Sequence, residues 1–419
     1  MAATPTRAGV PSQTPARGWR PPAPSDASAR TVGSWAFAGV AVSSLGGPLA
    51  LAALVVPAVT ADAAASGGLT AIAAAVVFGA PLAIWLRYAR HLTPDAERRG
   101  PAGGLYAFVH AAAGRRVALV QAAVWTFSYL LYIVYTTVQI VYDLLPQVLP
   151  GERPYRTLLA LLIPVTIAAV MIAGRAAALI VIGAIAASQL ALGGILDGIA
   201  VAHLSLPASS FGTSASAGSI ATAGAKSSLL YICAGLPLFI GGELATPGPT
   251  IRRGLLGAYL ATVAMVVLAV APLAAAPGLS RTDVPGFELA AQFASTGLAR
   301  VIGVGIAVSI AGVILCEYLA LTRLAAAVGG WATRRAAIVV GATIVAAAPL
   351  SLLDPNGFYD ALARPSLVAL WLSQLIVFAA FPFFAARRGL RLAPALTLTA
   401  VACALAGYGL YTSVASPSS

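Results

Sequence analysis

Apolar residues dominate this chain in runs of about twenty, separated by short polar connections rich in arginine. A helix needs roughly 20 apolar residues to cross the hydrocarbon core of a bilayer. Because runs of this length recur throughout the chain, they predict membrane-spanning helices. Eleven spans are predicted, at 34–60, 67–87, 117–145, 156–174, 177–203, 226–247, 254–277, 298–322, 335–353, 361–386 and 392–413.

Composition supports this class. Of 419 residues, 59% are hydrophobic and 9% are charged, whereas soluble domains carry about 25% charged residues. The net charge of +12 does not indicate a nucleic-acid partner, because the arginines stand between apolar runs. The three cysteines lie inside apolar spans without metal-ligand spacing. We therefore expect an all-α membrane protein whose partner is the lipid bilayer, with no metal and no cofactor.

The arginines also predict an orientation. Residues 1–32 are rich in Pro, Ala, Ser and Thr, and we interpret them as a disordered tail. If this tail is cytoplasmic, nineteen of the 25 basic residues fall on the cytoplasmic side. Positive charge favours that side. The sequence therefore predicts an integral protein of the plasma (inner) membrane, with the N-terminus in the cytoplasm and the C-terminus outside.

Two spans are interrupted by the same motif. The first contains Gly46-Gly47-Pro48-Leu49 and the sixth contains Gly235-Leu236-Pro237-Leu238, so both read Gly-x-Pro-Leu near mid-membrane. Proline removes a backbone donor and glycine tolerates unwound angles. Unwound backbone inside a bilayer is tolerated where it is buried in protein or lines a cavity. Paired interruptions in two halves therefore indicate a transporter binding site, with simple proline kinks as the alternative.

Each interrupted span opens a block of five. Residues 33–203 form the first block and residues 226–390 the second, with an outer loop at 204–225 between them. Residues 391–419 supply an eleventh span and a short tail. This arrangement predicts two related halves followed by one extra helix.

Several stretches resemble the amino acid–polyamine–organocation superfamily. Residues 100–106 read Gly-Pro-Ala-Gly-Gly-Leu-Tyr, which is similar to the Pro-x-Gly-Gly-x-Tyr loop before helix 3 of that family. Residues 243–253 begin Glu-Leu-Ala-Thr-Pro and end Ile-Arg-Arg, which resembles its Glu-x-x-Asn-Pro-x-x-x-Ile-Pro-Arg stretch after helix 6. Gly46-Gly47-Pro48 stands where the family has Gly-Ser-Gly. The resemblance covers roughly residues 33–390.

The resemblance implies a leucine-transporter-type 5+5 inverted repeat and a secondary active transporter working by alternating access. The implied substrate is an amino acid or related amine. Its carboxylate and ammonium would be held by main-chain groups of the two interruptions. The positions carried over are Ser43, Ser44, Gly46, Gly47, Cys233, Ala234 and Gly235.

The coupling ion is less clearly indicated. Gln189 stands where some proton-coupled members have a lysine in helix 5, so the mobile ammonium is missing. Ser309 lies near the serine that helps to hold sodium in other members. Pro48 and Pro237 also depart from the family pattern. Proton and sodium coupling both remain open.

Intramembrane acids and aromatic residues supply further candidates. Charges inside spans are costly and often functional, so Glu317 is interpreted as a proton acceptor or cytoplasmic gate, with a structural ion pair to arginine as the alternative. Glu243, near the end of the sixth span, is expected to form a gate or a loop-pinning ion pair. Tyr129 and Trp371 are candidate cavity walls, although such aromatics more often serve packing.

Other classes are weighed against this one. The sequence has no His-Glu-x-x-His motif, no paired mid-membrane aspartates and no histidine at mid-membrane depth, so we do not expect an enzyme. A channel or sensor on the same fold remains an alternative. So does a major-facilitator-type carrier of another small solute, which would have two six-helix halves.

Overall fold

The computed structural model describes residues 32–63, 66–92, 103–149, 151 and 153–415. The predicted N-terminal tail, apart from Val32, lies outside these residues. The Gly-Pro-Ala start of the loop at 100–106 also lies outside them.

Eleven apolar helices account for most of the described chain. Ten are long and apolar enough to cross a membrane, and Arg156–Ile172 is a shorter apolar helix. At 1.5 Å per residue, its 17 residues reach about 26 Å. The prediction of about eleven membrane helices is confirmed. Spans 1 to 11 are Ser34–Leu54, Gly67–Leu92, Arg115–Val148, Arg156–Ile172, Arg175–Leu204, Ala217–Glu243, Pro247–Ala274, Thr296–Gly329, Thr333–Leu352, Pro355–Arg387 and Leu392–Ala415.

Span 6 begins earlier than predicted. Its first helical residue is Ala217, inside the segment 204–225 that we expected to be an outer loop. The Ser216 side chain caps this helix by accepting a hydrogen bond from the Ser219 N–H at 3.0 Å. The first turns are rich in Ala, Ser and Gly, so their low hydropathy hid a helix that capping and packing stabilise.

Span 1 is interrupted at the predicted place. An α-helix ends at Ser44 and a second begins at Pro48. Between them, Gly46 and Gly47 have φ angles of 78° and 74°, in a region that side-chain-bearing residues avoid. Pro48 is the first residue of the second half, where its missing N–H costs no helical hydrogen bond. Glycine and proline together therefore break this helix and restart it within three residues.

Span 6 is altered differently from the prediction. It is α-helical to Ser228 and then continues as a 3₁₀-helix from Leu229 to Glu243. The expected unwound segment at Gly235 and Pro237 is therefore wrong, because the chain stays helical through both residues. Runs of 3₁₀-helix longer than about four residues are uncommon and often mark strain or function. The motif changes the type of helix in span 6 and does not interrupt it.

The two blocks of five also share their connecting helices. Leu105–Ala113 lies between spans 2 and 3, and Pro285–Phe293 lies between spans 7 and 8. Each has nine residues and the same place in its block. This correspondence is expected of a repeated five-helix unit.

Span 1 lies at the centre of the bundle. It packs against spans 5, 6, 7 and 8. Its contact with span 5 is close, since a Cβ on Gly39 would lie 3.1 Å from the Gly183 Cα atom. Spans 3 and 10 pack together elsewhere. There the Ser128 and Ser366 hydroxyls each donate to the other residue's carbonyl at 2.8 Å. Small residues and interhelical hydrogen bonds hold the spans together, as is usual in membranes.

We expect Gly47→Ala to destabilise the protein. A methyl group there would lie 2.5 Å from the Ser309 Oγ atom, and a left-handed backbone costs a non-glycine residue about 1–2 kcal/mol. The matched control is Gly194→Ala, because a Cβ on this helical glycine meets nothing within 4 Å. Thermal unfolding in detergent should show a lower midpoint for Gly47→Ala and an unchanged or higher midpoint for the control. Equal midpoints would contradict the role given to Gly47.

Candidate functional site

The interruption of span 1 lies directly against span 8. The closest atom to a Cβ built on Gly47 would be the Ser309 Oγ, and the Ser309 carbonyl oxygen would be 3.2 Å away. Ser309 is fully buried, and its Oγ has no hydrogen-bond partner among the described residues. A buried hydroxyl without a partner is costly. An oxygen of this kind beside unwound main chain has the chemistry of a ligand for a hard cation such as sodium.

Span 5 completes this junction. The Ser43 hydroxyl donates to the Ile182 carbonyl at 3.3 Å, and Gln189 Nε2 donates to the Ser43 Oγ at 3.5 Å. The Gln189 Oε1 atom is buried without a partner among the described residues. A Cβ on Gly312 of span 8 would lie 3.3 Å from Gln189 Nε2. Ser43, Gly47, Gln189 and Ser309 therefore surround the place where spans 1, 5 and 8 meet, which we call the span 1–5–8 junction.

A second group of polar side chains joins spans 3, 6 and 8. The Tyr129 hydroxyl donates to the Cys233 Sγ at 3.8 Å, and this Sγ donates to Glu317 Oε1 at 3.9 Å. All three side chains are buried, with exposures of 1%, 4% and 0%. We call this row the Tyr129–Cys233–Glu317 chain. It places a carboxyl group, a thiol and a phenol in one hydrogen-bonded line inside the bundle.

Glu317 has little to stabilise a negative charge. Its second oxygen, Oε2, has no hydrogen-bond partner, and no ion pair to Glu317 occurs in the described part of the chain. A carboxylate isolated in this way pays a large desolvation cost, so it takes up a proton or pairs with a cation. The alternative of a structural ion pair with an arginine of a neighbouring helix is wrong, because no arginine in the described part of the chain pairs with Glu317.

Aromatic rings enclose the Tyr129–Cys233–Glu317 chain. The Trp125 ring lies 4.2 Å from Tyr129 and 4.5 Å from Phe239 of span 6, measured between centroids. On another face of span 6, a Cβ on Gly235 would be 3.5 Å from the Trp85 indole. These rings exclude water from the polar row, which strengthens electrostatic interactions inside it.

Glu243 forms an ion-pair cluster at the end of span 6. Its Oε1 lies 2.5 Å from Arg323 Nε, and its Oε2 lies 2.9 Å from Arg175 Nη1. Its backbone carbonyl accepts the Val32 N–H at 2.8 Å. The Glu243 carboxylate therefore connects spans 5, 6 and 8, and the Glu243 backbone carbonyl adds a link to Val32, just before span 1. We call this cluster the Glu243 lock. The predicted ion pair is present, but its two arginines were not identified from the sequence.

The remaining candidates occupy different surroundings. The Ser44 hydroxyl donates to the Ala41 carbonyl of its own helix at 3.0 Å. Ala234 is fully buried within the 3₁₀-helix. Trp371 lies apart from both groups, because its indole packs directly against Gly409 of span 11. Trp371 therefore supports the packing of spans 10 and 11 in this structure.

Comparison with known proteins identifies the fold. Neither a protein-family model nor a curated protein sequence matches the chain. Among solved structures, MhsT in complex with L-phenylalanine aligns with a TM-score of 0.58 and 16% identity, over 90% of this chain and 97% of that one. The substrate-bound, outward-open state of a Na⁺-coupled sialic acid symporter aligns with a TM-score of 0.55 and 13% identity, over 93% of each chain. The chain has the leucine-transporter fold.

This result confirms the predicted fold class. A leucine-transporter fold contains a five-plus-five repeat, and span 11 is the extra helix. The major-facilitator alternative is wrong, because that fold divides into two six-helix halves. At these identities the likeness establishes the fold alone. Membership of the amino acid–polyamine–organocation superfamily stays a prediction from the sequence motifs.

We expect Glu243→Gln to loosen the Glu243 lock. The substitution removes the counter-charge of Arg323, whose side chain is only 10% exposed. Leaving the partly buried charge of Arg323 without its partner destabilises the closed state by about 1.4 kcal/mol or more. This free energy corresponds to about a tenfold rise in the population of the open state. In a Cys403→Ser background, the two buried cysteines, Cys233 and Cys316, report opening. Their alkylation by N-ethylmaleimide should become about tenfold faster.

The matched control for this experiment is Glu288→Gln. Glu288 is an exposed acid on the short helix Pro285–Phe293, and no ion pair involves it in the described structure. Both substitutions remove one negative charge. Faster alkylation in both variants, or in neither, would contradict a specific role for Glu243.

Proposed function

We propose that this protein is a secondary active transporter that carries amino acids or related amines by alternating access. The observation that carries the proposal is the interrupted span 1, whose Gly47 lies beside the buried Ser309 hydroxyl, which has no partner among the described residues. Two proteins of the same fold take small organic solutes: MhsT is in complex with L-phenylalanine, and the other is a sialic acid symporter in a substrate-bound state. A transporter, and not an enzyme, is the interpretation that fits these neighbours.

The substrate is proposed to bind between span 1 and the Tyr129–Cys233–Glu317 chain. The Gly47 carbonyl accepts the Leu51 N–H at 2.9 Å. The remaining main-chain groups of Gly46 and Gly47 are the proposed ligands, and such groups are suited to a carboxylate or an ammonium. Glu317 lies eight residues beyond Ser309 on the same helix, which is about 12 Å at 1.5 Å per residue. The ammonium that it would bind is therefore a terminal or side-chain amine of an extended substrate, and this amine would supply the cation that Glu317 lacks. Span 6 contributes through the side chain of Cys233 and the carbonyls of its 3₁₀-helix.

Sodium is the proposed coupling ion, carried together with the substrate. The span 1–5–8 junction offers the Ser309 hydroxyl and the Gln189 amide oxygen, both buried without partners among the described residues. Oxygen atoms of this type suit hard cations. A Na⁺-coupled symporter shares the fold. Gln189 carries no proton that it can exchange at neutral pH, so proton coupling through this position is disfavoured.

The Glu243 lock is proposed to close the cytoplasmic side. The ends of spans 2, 4, 6, 8 and 10 lie on the side of the bundle that carries most of the arginines. Positive charge predicts that this side faces the cytoplasm. Because the Glu243 carboxylate connects spans 5, 6 and 8 across this side, breakage of its two ion pairs would release these three spans from one another.

The proposal is tested by ligand screening followed by transport. The purified protein is exposed to a panel of amino acids and amines, and stabilising compounds are recognised by a raised unfolding temperature. Uptake of these compounds into liposomes is then measured with and without a sodium gradient. Concentrative uptake that requires sodium would support the proposal. Downhill flux that does not saturate with substrate concentration would instead indicate a channel. If no compound in the panel raised the unfolding temperature, the proposed substrate class would be contradicted.

We expect Glu317→Gln to weaken binding of a stabilising amine about 30-fold or more, because truncating one partner of a buried charge pair typically costs about 2–5 kcal/mol. Binding is measured by thermal shift or calorimetry. The control is Glu288→Gln, which should bind as the wild type does. Unchanged affinity for Glu317→Gln with loss of gradient-driven uptake would show that Glu317 carries a proton and does not contact the amine.

We expect Ser309→Ala to raise the sodium concentration needed for half-maximal uptake about tenfold, because interactions with a charged group contribute roughly 1.5–3 kcal/mol. Ser188→Ala is the control, since its hydroxyl is bonded to the Ile185 carbonyl on the exposed face of span 5. The measurement is substrate uptake against sodium concentration. An unchanged sodium dependence in Ser309→Ala would exclude sodium from this junction.

A further inference from the structure

A large cleft lies apart from the proposed transport site. It has a volume of about 1220 Å³ and is bounded by the ends of spans 2, 7, 10 and 11 on the arginine-rich side. Its basic lining residues are Arg87, Arg90, His91, Arg252, Arg253 and Arg391. The Tyr129–Cys233–Glu317 chain and the span 1–5–8 junction contribute no lining residue.

The positive charge of this cleft is not neutralised by the described protein. Among the residues that the structure describes, no acidic side chain lines it. In the described part of the chain, none of its five arginines forms an ion pair. Arg87 is the innermost of them, and its Nη1 atom is buried without a hydrogen-bond partner there. Five guanidinium groups held this close repel one another, so an anion in the cleft would be strongly favoured.

The rest of the cleft is apolar. Leu86 of span 2, Leu256 of span 7 and Phe381 of span 10 form part of its wall. The spans on either side present large apolar residues outward, with Leu260 63% exposed and Leu396 50% exposed. Exposed leucines on membrane spans face the acyl chains of the bilayer. The cleft therefore combines a basic end with an apolar wall beside the lipid.

We infer that this cleft binds an anionic phospholipid. The headgroup phosphate lies among the arginines, and the acyl chains follow the apolar wall toward the bilayer. Guanidinium groups bind phosphate oxygens in pairs of parallel hydrogen bonds. Basic pockets between membrane helices on the cytoplasmic side are suited to anionic headgroups. A ligand that matches both the basic end and the apolar wall of this cleft is an amphipathic anion.

Two other occupants fit less well. A free phosphate ion would use the arginines and leave the apolar wall without a partner. The segment 93–102, which follows span 2 in the sequence, carries two acids and two arginines and so has no net negative charge. Residues 1–31 hold four arginines and one acid, so the net positive charge of their sequence does not suit a basic cleft. Charge complementarity therefore favours a lipid from the surrounding membrane.

The test is a lipid titration of the full-length protein in detergent, followed by native mass spectrometry. Phosphatidylglycerol is the anionic probe, phosphatidylcholine is the zwitterionic probe, and inorganic phosphate is the competitor. We expect the wild type to retain phosphatidylglycerol in preference to phosphatidylcholine. Arg252→Gln with Arg253→Gln should weaken this binding about 30-fold, equivalent to about 1 kcal/mol per arginine at roughly 1.4 kcal/mol per factor of ten.

The matched control is Arg115→Gln with Arg116→Gln. These exposed arginines begin span 3 on the same side but do not line the cleft. An equal loss in this control would overturn the inference, because it would indicate diffuse surface charge. Displacement of the lipid by millimolar phosphate, or equal retention of phosphatidylcholine, would also overturn it. If the first variant fails to fold, Arg90→Gln with Arg391→Gln tests the same prediction from the opposite wall.

Discussion

The structure depends on one constraint, which is that main-chain polar groups inside a membrane must find partners without water. Span 1 violates regular helical bonding at Leu45–Gly47. The violation is tolerated because spans 5, 6, 7 and 8 surround this helix and keep the exposed backbone away from lipid. Glycine at position 47 permits the close approach of span 8. The central helix is therefore both the least regular element and the most thoroughly covered one.

The two important carboxylates meet this dry environment in opposite ways. Glu243 lies at the margin of the bundle and is neutralised by two arginines, so it stabilises one arrangement of spans 5, 6 and 8. Glu317 lies inside, where its neighbours are a thiol and a phenol. The first charge is satisfied by protein, and the second leaves a requirement for a cation from elsewhere. Desolvation is costly for both carboxylates. At the margin of the bundle, arginines offset this cost for Glu243 and hold the spans together, whereas inside the bundle the cost for Glu317 favours binding of a cation.

The sequence predicted the fold well, because long apolar runs separated by arginines determine where helices cross a membrane. The break at Gly46 and Gly47 was also predictable, since the two glycines and Pro48 act locally. The continuous 3₁₀-helix of span 6 was not, because the same motif admits either a loop or a tighter helix and tertiary packing decides between them.

Contacts between distant spans were equally hidden from the sequence. The burial of Glu317 followed from its position, but its pairing with Cys233 depends on the rotation of two helices about their axes. The arginines that bind Glu243 were recognised as an orientation signal and not as its partners. Trp371 is an aromatic residue of the kind that often lines a cavity, but the orientation of span 10 directs its side chain toward Gly409 of span 11.

The 3₁₀-helix of span 6 has a further consequence for how distant parts of the protein stay aligned. At about three residues per turn, its side chains form three straight rows. Cys233 and Phe239 share a row that faces the aromatic residues of span 3, and Glu243 follows one position out of phase with it. A residue added or deleted between them would turn everything beyond it by a third of a revolution. The helical phase that places the Cys233 thiol against Glu317 therefore also determines whether Glu243 faces its two arginines.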